Sequence, residues 1–240
     1  MNGDLRVWVL ALLLFCAGAV RATEAPQRVV SLNLCTDQIL LALLPRERIA
    51  MLSQLAADRT LSWAAARTPG IARFDGSVER IVQLDPDLVL TGSQASLSSA
   101  AVLKRLGYRV ETIAMPETIA TSLAFIEHTA ALLGEAGAGA ALSRDTARRL
   151  DVVRNAMAGR PHELGLIYLP NGLSPGAGTL KDELLALAGW RNLASERGIS
   201  GYGTLPLGRR SWSAVRLAPQ PHQRPALERL RPLVRRAPRW

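Results

Sequence analysis

The longest helical pattern in the chain runs from Pro116 to Pro161, and it is the only one with a proline at each end. An interior glycine costs a helix about 1 kcal/mol relative to alanine, and three glycines cluster here in the sequence GEAGAGA. We therefore predict two helices, over residues 117–133 and 136–158, the first closed by the glycine that opens this cluster. Strand-then-helix patterns precede and follow the pair. We interpret it as a spine between two lobes, the alternative being two ordinary helices of one compact domain.

The second of these helices carries an apolar stripe, and arginines occupy much of its remaining surface. Positions three and four apart lie on one face of a helix, so the spacing predicts a single buried line. Its members are Leu142, Thr146, Leu150, Val153 and Met157.

Short apolar runs alternate with helical patterns in the first half of the chain. Strands are predicted over residues 28–34, 48–53, 88–91 and 109–115. The helix after the first strand is predicted to begin at Thr36 or Asp37, because these residue types cap helices well. Strands separated by helices and short joins predict α/β units with a parallel sheet. Beyond the spine come another strand, a glycine-rich loop and a helix over residues 179–188, and then irregular chain to residue 207.

The positive charge is concentrated at the end of the chain. The formal net charge is +9, but residues 208–240 hold nine arginines and one acidic residue, so this segment alone carries +8. The remaining 207 residues are therefore nearly neutral, at +1. This distribution predicts a basic tail and no nucleic-acid partner for the folded part; binding of nucleic acid by the tail remains an alternative.

The first 22 residues have the pattern of a signal peptide, with a short apolar run too brief for a confident membrane span. We predict cleavage after Ala22 and a periplasmic mature protein. A lipoprotein anchored at Cys16 and an uncleaved signal anchor are the alternatives. The exported chain would keep one cysteine, Cys35, which cannot form an internal disulfide.

One motif points to an enzyme. The segment Gly172 to Gly176 reads GLSPG and matches the nucleophile elbow of serine hydrolases. However, the residue after Ser174 is Pro175, which lacks the N–H that would stabilise an oxyanion. The nearest downstream histidine, His222, lies in the basic tail. An exported hydrolase using Ser174 is therefore kept only as the alternative function, and the chain is predicted not to be an enzyme.

Metal and cofactor signals are weak. His128 and His162 are far apart in sequence and lie on or just after the spine helices. The segment after Gly176 lacks the third glycine of a dinucleotide fingerprint, and no phosphate-binding lysine motif is present. We predict no metal site and no cofactor.

Two sequence motifs carry a family resemblance: S-x-E-x-I-x-x-x-x-P-D-L-V, at Ser77 to Val89, is the more specific, and G-x-x-N-L-A at Gly189 to Ala194 adds weaker support. With the surrounding segments they resemble the substrate-binding proteins of ABC importers for cobalamin and ferric siderophores. The resemblance covers residues 28–207. It implies an α/β fold of two lobes with parallel sheets joined by a long rigid helix, and a monomer that delivers a corrinoid or ferric chelate to an ABC permease. The implied domains are 1–22, 26–116, 117–160, 161–207 and 208–240: signal peptide, first lobe, spine, partial second lobe and disordered tail.

The resemblance also implies a ligand site on loops at strand ends, between the lobes. It places Glu79 where the family has the first-lobe glutamate that docks on the permease. Large planar or chelate ligands suit aromatic walls with a few polar groups. The implied ligand-binding residues are Asn33, Cys35, Thr36, Phe74, Asp75, Gly92 and Ser93 in the first lobe, and Tyr168, Asn171 and Tyr202 in the second.

The resemblance ends near residue 207. From Gly208 onward the Arg/Pro/Ala-rich chain carries no matching pattern, and the docking glutamate of the second lobe has no counterpart. We expect an incomplete second lobe with an exposed sheet edge, and we hypothesise that this tail is a GC-rich gene read in a shifted frame.

Overall fold

The computed structural model describes residues 24–92, 97–205 and 216–217. The signal peptide, Ser93 and nearly all of the basic tail therefore lie outside the described residues. Seven α-helices and ten strands occur within them. The helices are α1 (Leu34–Leu43), α2 (Val78–Leu84), α3 (Leu97–Arg105), α4 (Ile119–Leu132), α5 (Ala136–Met157), α6 (Leu180–Leu187) and α7 (Leu193–Glu196). The strands are β1 (Val29–Ser31), β2 (Ile49–Leu52), β3 (Ala72–Arg73), β4 (Leu88–Thr91), β5 (Val110–Thr112), β6 (Glu163–Leu166), β7 (Leu173–Pro175), β8 (Trp190–Asn192), β9 (Tyr202–Thr204) and β10 (Arg216–Leu217).

The first lobe is a five-stranded sheet in the order β3-β2-β1-β4-β5 with every neighbouring pair parallel. Helices cover both faces of this sheet, and each strand contributes side chains to both, because successive residues of a strand point to opposite sides. Val29, Leu88 and Leu90 pack on one side with residues of α1 and α4. Val30 and Val89 pack on the other side with residues of α2 and α3. The predicted α/β architecture is confirmed.

The second lobe contains a three-stranded parallel sheet, β10-β6-β8, and a two-stranded antiparallel ribbon, β7-β9. Leu166 and Leu193 form the centre of its small core with Ala194 and Leu205. The prediction of irregular chain between residues 191 and 207 is wrong, because β9 and α7 lie there. The basic tail contributes Arg216–Leu217 to the sheet as β10, so part of it is ordered against our expectation. These segments have only two to four residues and gain their structure from their neighbours rather than from sequence periodicity.

The predicted spine consists of the two expected helices, α4 and α5, folded into a hairpin at Gly134, which has a φ of +76°. Helix α4 has 14 residues and packs on the first sheet through Phe125, whereas α5 has 22. The last turns of α5 therefore extend past α4 towards the second lobe. The connector between the lobes is α5, while α4 belongs to the core of the first lobe.

The buried side of α5 differs from the predicted stripe. Gly139 and Ser143 are its buried residues, while Leu142 and Leu150 are half-buried and Val153 is 43% exposed. The reason is the close approach of the two helices: a Cβ added at Gly139 would lie 2.1 Å from the Ala130 Cβ. Small residues set this contact, and a pattern of large apolar residues does not reveal it.

An arginine clamp fastens the hairpin to the first sheet. The Arg48 guanidinium donates to Glu135 Oε1 at 2.6 Å, to the Leu133 carbonyl at 2.6 Å and to the Pro26 carbonyl at 2.8 Å. The Arg48 side chain is only 12% exposed, so this ion pair is shielded from solvent. The clamp attaches the start of α5 to the first lobe.

Candidate functional site

The carboxyl ends of the parallel strands of the first lobe meet at one edge of the sheet. Asn33 follows β1, Phe74 and Asp75 follow β3, and Gly92 follows β4. Ligands of open α/β sheets bind at this kind of edge. The structure thus places these four sequence-predicted residues on the same side of the first lobe.

Asn33 is at the centre of this edge. It is the N-cap of α1, where its Oδ1 accepts from the Cys35 N–H at 2.7 Å. The predicted caps, Thr36 and Asp37, are therefore wrong: the helix starts two residues earlier than Thr36. The other end of the Asn33 amide donates from Nδ2 to the Met115 Sδ at 3.3 Å. A Cβ at Gly92 would lie 2.2 Å from Asn33 Nδ2, so only glycine fits there without displacing the amide.

Met115 was not among the sequence-predicted ligand residues. It follows β5 by three residues and its side chain is 43% exposed. Sequence analysis had placed it as the last residue of a longer strand. Its position shortly after a strand of a parallel sheet is the signal that would have placed it among the candidates.

Two of the predicted residues are partly or wholly withdrawn from the surface. Thr36 is fully buried, and its hydroxyl bonds to the Ser31 hydroxyl at 2.7 Å and donates to the Asn33 carbonyl at 2.9 Å. It therefore supports the turn between β1 and α1 and does not reach a ligand. Cys35 is half-buried, and burial, followed by the nearby Asp37, raises the pKa of its thiol. Its sulfur is neutral at physiological pH.

Asp37 is a buried carboxyl that sequence analysis considered only as a helix cap. It accepts hydrogen bonds from the Ser53 N–H at 3.1 Å and from the Ser53 hydroxyl, and so ties α1 to the end of β2. Burial raises the pKa of Asp37 to about 6, and hydrogen bonds from Ser31 and Ser53 oppose this rise. Asp37 is fully buried and supports the strand-end edge, by which we mean the edge of the first sheet where the carboxyl ends of its strands lie.

Phe74 and Asp75 begin the turn before α2. Phe74 is half-buried and packs against the core that contains Ile81. Asp75 is exposed and accepts from Arg80 at 2.6 Å, and this hydrogen bond holds the pKa of Asp75 below its ordinary value. Phe74 thus offers part of an aromatic wall, while the charge of Asp75 is already paired.

The second lobe carries the remaining three predicted ligand residues. Tyr168, in the loop after β6, packs on the small core. Asn171 is exposed in the tight turn that follows, at a φ of +62° that asparagine tolerates better than most residues. Tyr202 is 55% exposed at the start of β9, and the Lys181 ammonium lies 5.7 Å from the centroid of its ring. A cation at this distance interacts favourably with the ring and can orient it.

The two lobes are in contact at the start of α4. The Ile119 N–H at the start of α4 donates to Glu183 Oε2 of α6 at 2.5 Å. Beside this contact is a cavity of about 650 Å³ between α4, α5 and α6. Its walls are mostly apolar, and none of the predicted ligand residues that the structure describes lines it. The residues are Ile119, Ala120, Leu123, Arg154, Met157, Ala158, His162, Glu183, Ala186 and Leu187.

Glu79 is exposed in the first turn of α2. It accepts from the Ser77 hydroxyl at 2.8 Å, and Ser77 is also the N-cap of the helix. Hydrogen bonds from the backbone of Glu79 and from Ser77 hold the pKa of Glu79 below its ordinary value. Glu79 therefore presents a fixed negative charge to solvent.

Ser174 does not have the geometry of a nucleophile. It lies within β7, paired with Gly203 of β9, rather than on a turn between a strand and a helix. Its side chain is fully buried, and its Oγ has no hydrogen-bond partner among the described residues. The residues that the structure describes also contain no cluster of three or more His, Cys, Asp or Glu side chains that could hold a metal ion. No helix in this same part of the chain is long and apolar enough to cross a membrane.

Two α/β lobes joined by a long helix, with polar and aromatic residues at the strand ends, define a two-lobed binding-protein architecture. The sequence profile of the periplasmic binding protein family matches residues 29–212, most of the chain. The chain belongs to this family, which confirms the resemblance inferred from its motifs. No curated relative matches the chain significantly.

Solved structures of periplasmic binding proteins have the same fold. A possible iron-binding protein from Staphylococcus epidermidis is 18% identical, with a TM-score of 0.66 over 77% of this chain and 72% of that one. The haem-binding protein RhuT from Roseiflexus is 23% identical, with a TM-score of 0.64 over 75% and 70%. The vitamin B12-binding protein BtuF of Vibrio cholerae is 16% identical, with a TM-score of 0.63 over 87% and 82%. At these identities the similarity establishes the fold alone.

Proposed function

We propose that this protein is the exported solute-binding component of an ABC importer, and that it captures a metal chelate of the haem, cobalamin or ferric-siderophore type between its lobes. The family match over residues 29–212 carries this proposal. The ligand class is supported by the names of similar structures: a haem-binding protein, a vitamin B12-binding protein and a possible iron-binding protein. It is also supported by the strand-end edge of the first lobe, where an aromatic ring and neutral polar groups are available to a large ligand.

The ligand is captured with little closure of the lobes. A 22-residue helix crosses between them, and the Arg48 clamp fixes one end of it. The hydrogen bond from Ile119 to Glu183 adds a second link between the lobes. A connector of this kind resists the large change in backbone angles that a loop hinge absorbs easily. The loaded monomer then docks on a permease in the inner membrane, after a signal peptide cleaved at Ala22 has directed it to the periplasm.

Calorimetric titration of the purified full chain with hemin, cyanocobalamin and a ferric hydroxamate siderophore tests this function. We expect saturable one-to-one binding of at least one of these probes, with the probe recovered unchanged. Absence of binding to all three would overturn the proposed ligand class. Covalent labelling by a fluorophosphonate, lost in Ser174→Ala, would instead support the hydrolase alternative, which the burial of Ser174 does not favour.

We expect Ser174→Ala to stabilise the protein and to leave ligand affinity unchanged. Ser174 Oγ is a buried polar atom without a partner, and such a group costs roughly 1–3 kcal/mol in proteins. Removing it should raise the free energy of urea-induced unfolding by about 1 kcal/mol, after allowance for the small cavity left behind. The matched control is Ser53→Ala, which deletes a buried hydroxyl that does have a partner in Asp37 and should destabilise. A loss of stability in Ser174→Ala would mean that the hydroxyl is hydrogen-bonded in solution.

We expect Glu79→Gln to lower ligand uptake severalfold without changing the affinity of the isolated protein for its ligand. Charge pairs across an interface act mainly on association rate and register, so loss of this exposed carboxylate should weaken docking. The measurement is uptake of radiolabelled ligand into vesicles that contain the cognate permease, together with ligand affinity. Glu127→Gln removes another exposed carboxylate, on α4, and serves as the control. Equal uptake by both variants would exclude Glu79 from docking.

A further inference from the structure

We propose that Met115 is an additional ligand-contacting residue, positioned by Asn33, and that the site it forms favours a metal held in a planar macrocycle over a chelate built from charged oxygen donors. This inference rests on the proposed function and names a contact and a preferred ligand class within it.

Met115 lies where a ligand of the first lobe would rest. It comes after β5, in the same row of strand ends as Asn33 after β1 and Gly92 after β4. These three strands are adjacent in the sheet. The side chain is 43% exposed, whereas the nearby apolar residue Ile113 is 5% exposed. Met115 adds an exposed apolar group beside polar Asn33 at these strand ends, and such a group is suited to contact with an apolar ligand surface.

The orientation of the thioether is set by two neighbours. Asn33 Nδ2 donates to Met115 Sδ at 3.3 Å, while Asn33 Oδ1 is held by the Cys35 N–H at 2.7 Å. The amide therefore cannot turn over without losing both bonds. Gly92 leaves the space that the amide occupies, because a Cβ there would lie 2.2 Å from Nδ2. Methionine normally has much side-chain freedom, so this bond reduces the entropy that the residue would lose when a ligand binds.

The chemistry of these groups selects the ligand class. A thioether is neutral and polarizable, and it packs well against extended apolar and aromatic surfaces. The adjacent Cys35 thiol is neutral, and the Asn33 amide carries no charge. Charged oxygen ligands are instead recognised by bidentate arginine or by several strong donors. A tetrapyrrole or corrin ring offers the apolar surface that this neutral, soft site can cover.

Five full-length variants, the double variant Met115→Ala/Asn33→Ser among them, test the proposal against hemin, cyanocobalamin and a ferric tris-catecholate siderophore, whose anionic oxygen donors leave the complex negatively charged. We expect Met115→Ala to weaken the binding of hemin or cyanocobalamin about tenfold and Met115→Leu to weaken it less, because leucine restores most of the apolar contact. Asn33→Ser keeps a residue that can cap α1 but cannot reach the sulfur, and its loss of affinity should not add to that of Met115→Ala. Leu106→Ala is the control, since this leucine is 58% exposed at the opposite end of β5.

The possible outcomes separate this inference from the proposed function. Wild-type affinity in Met115→Ala, fully additive losses in the double variant with Asn33→Ser, or tighter wild-type binding of the ferric tris-catecholate than of both macrocycles would each overturn the inference and leave the transport function standing. Failure of the wild-type protein to bind any of the three probes would overturn both. A circular-dichroism spectrum identical to that of the wild type identifies variants that have folded.

Discussion

As the pH rises from about 4 to about 7, the Asp37→Asn variant should gain roughly 2 kcal/mol of stability relative to the wild type. Burial raises the pKa of Asp37 from 3.8 to about 6, so the folded protein holds a proton that the unfolded chain releases. The stability that this proton contributes is complete below the unfolded pKa and is lost as the pH rises through the folded pKa. An asparagine cannot ionise, and its amide can still accept from the Ser53 N–H and donate to the Ser53 hydroxyl.

Urea unfolding of both proteins across this pH range measures the effect. The difference in unfolding free energy should be smallest at the acid end, should grow between the two pKa values, where only the unfolded chain has released the proton, and should level off above the folded pKa of about 6. Asp58→Asn is the control: Asp58 is exposed, and hydrogen bonds from the Thr60 side chain and backbone lower its pKa, so its contribution changes only at more acid pH. A wild-type-to-Asn difference that stays constant with pH would show that Asp37 does not titrate in this range. Asp37→Ala should be destabilising throughout, because it leaves the buried Ser53 N–H without an acceptor.

The second large effect is expected at the helical hairpin. Gly139→Ala should lower the free energy of unfolding by roughly 1–3 kcal/mol, because the added methyl overlaps Ala130 in a tightly packed contact. The Cβ would lie 2.1 Å from the Ala130 Cβ, and the Ala130 Cα at 3.6 Å limits how far the helices can adjust. Thermal or urea unfolding of the purified variant measures this change.

Gly137→Ala is the matched control, two residues away on the same helix. A Cβ at Gly137 would meet nothing within 4 Å, so this change should stabilise α5 by up to about 1 kcal/mol through helix propensity alone. If Gly139→Ala lowers the free energy of unfolding and Gly137→Ala raises it, packing against Ala130 is the cause of the loss at Gly139. If Gly139→Ala also stabilised the protein, the close approach of α4 and α5 would be wrong.

Much of the fold could be predicted from local pattern. The two helices of the hairpin begin and end within a few residues of their predicted bounds, because proline and glycine interrupt helices through their own backbone geometry. The strand at Leu88–Thr91 was predicted residue by residue, since its continuous apolar run suits a strand buried on both faces. The start of α1 was missed because Asn33, Thr36 and Asp37 are all good caps. Which of them caps α1 depends on where the first turn of the helix packs against the sheet.

The candidate site was predicted less completely. The family resemblance named Asn33, Gly92 and Phe74, and each of them follows a strand in the structure, whereas Thr36 is turned inward. Met115 was included in a strand prediction that ended three residues too late. Ser174 matched a motif, but the motif requires a turn, and the pairing of β7 with β9 makes the segment a strand. Short strands such as β3 and β9 depend on a partner from distant sequence, so a window along the chain carries little information about them.

The sequence by itself determined the alternation of strands and helices, the parallel sheet that this alternation requires, the paired helices after the first lobe and the family to which the chain belongs. These follow from properties of neighbouring residues: hydrophobic period, backbone freedom and short motifs. Only the tertiary structure decided that α5 alone crosses between the lobes, that Asp37 is buried against Ser53, and that Asn33 lies against Met115. Each of these depends on which distant segments come into contact, and contact between distant segments is a result of packing in three dimensions.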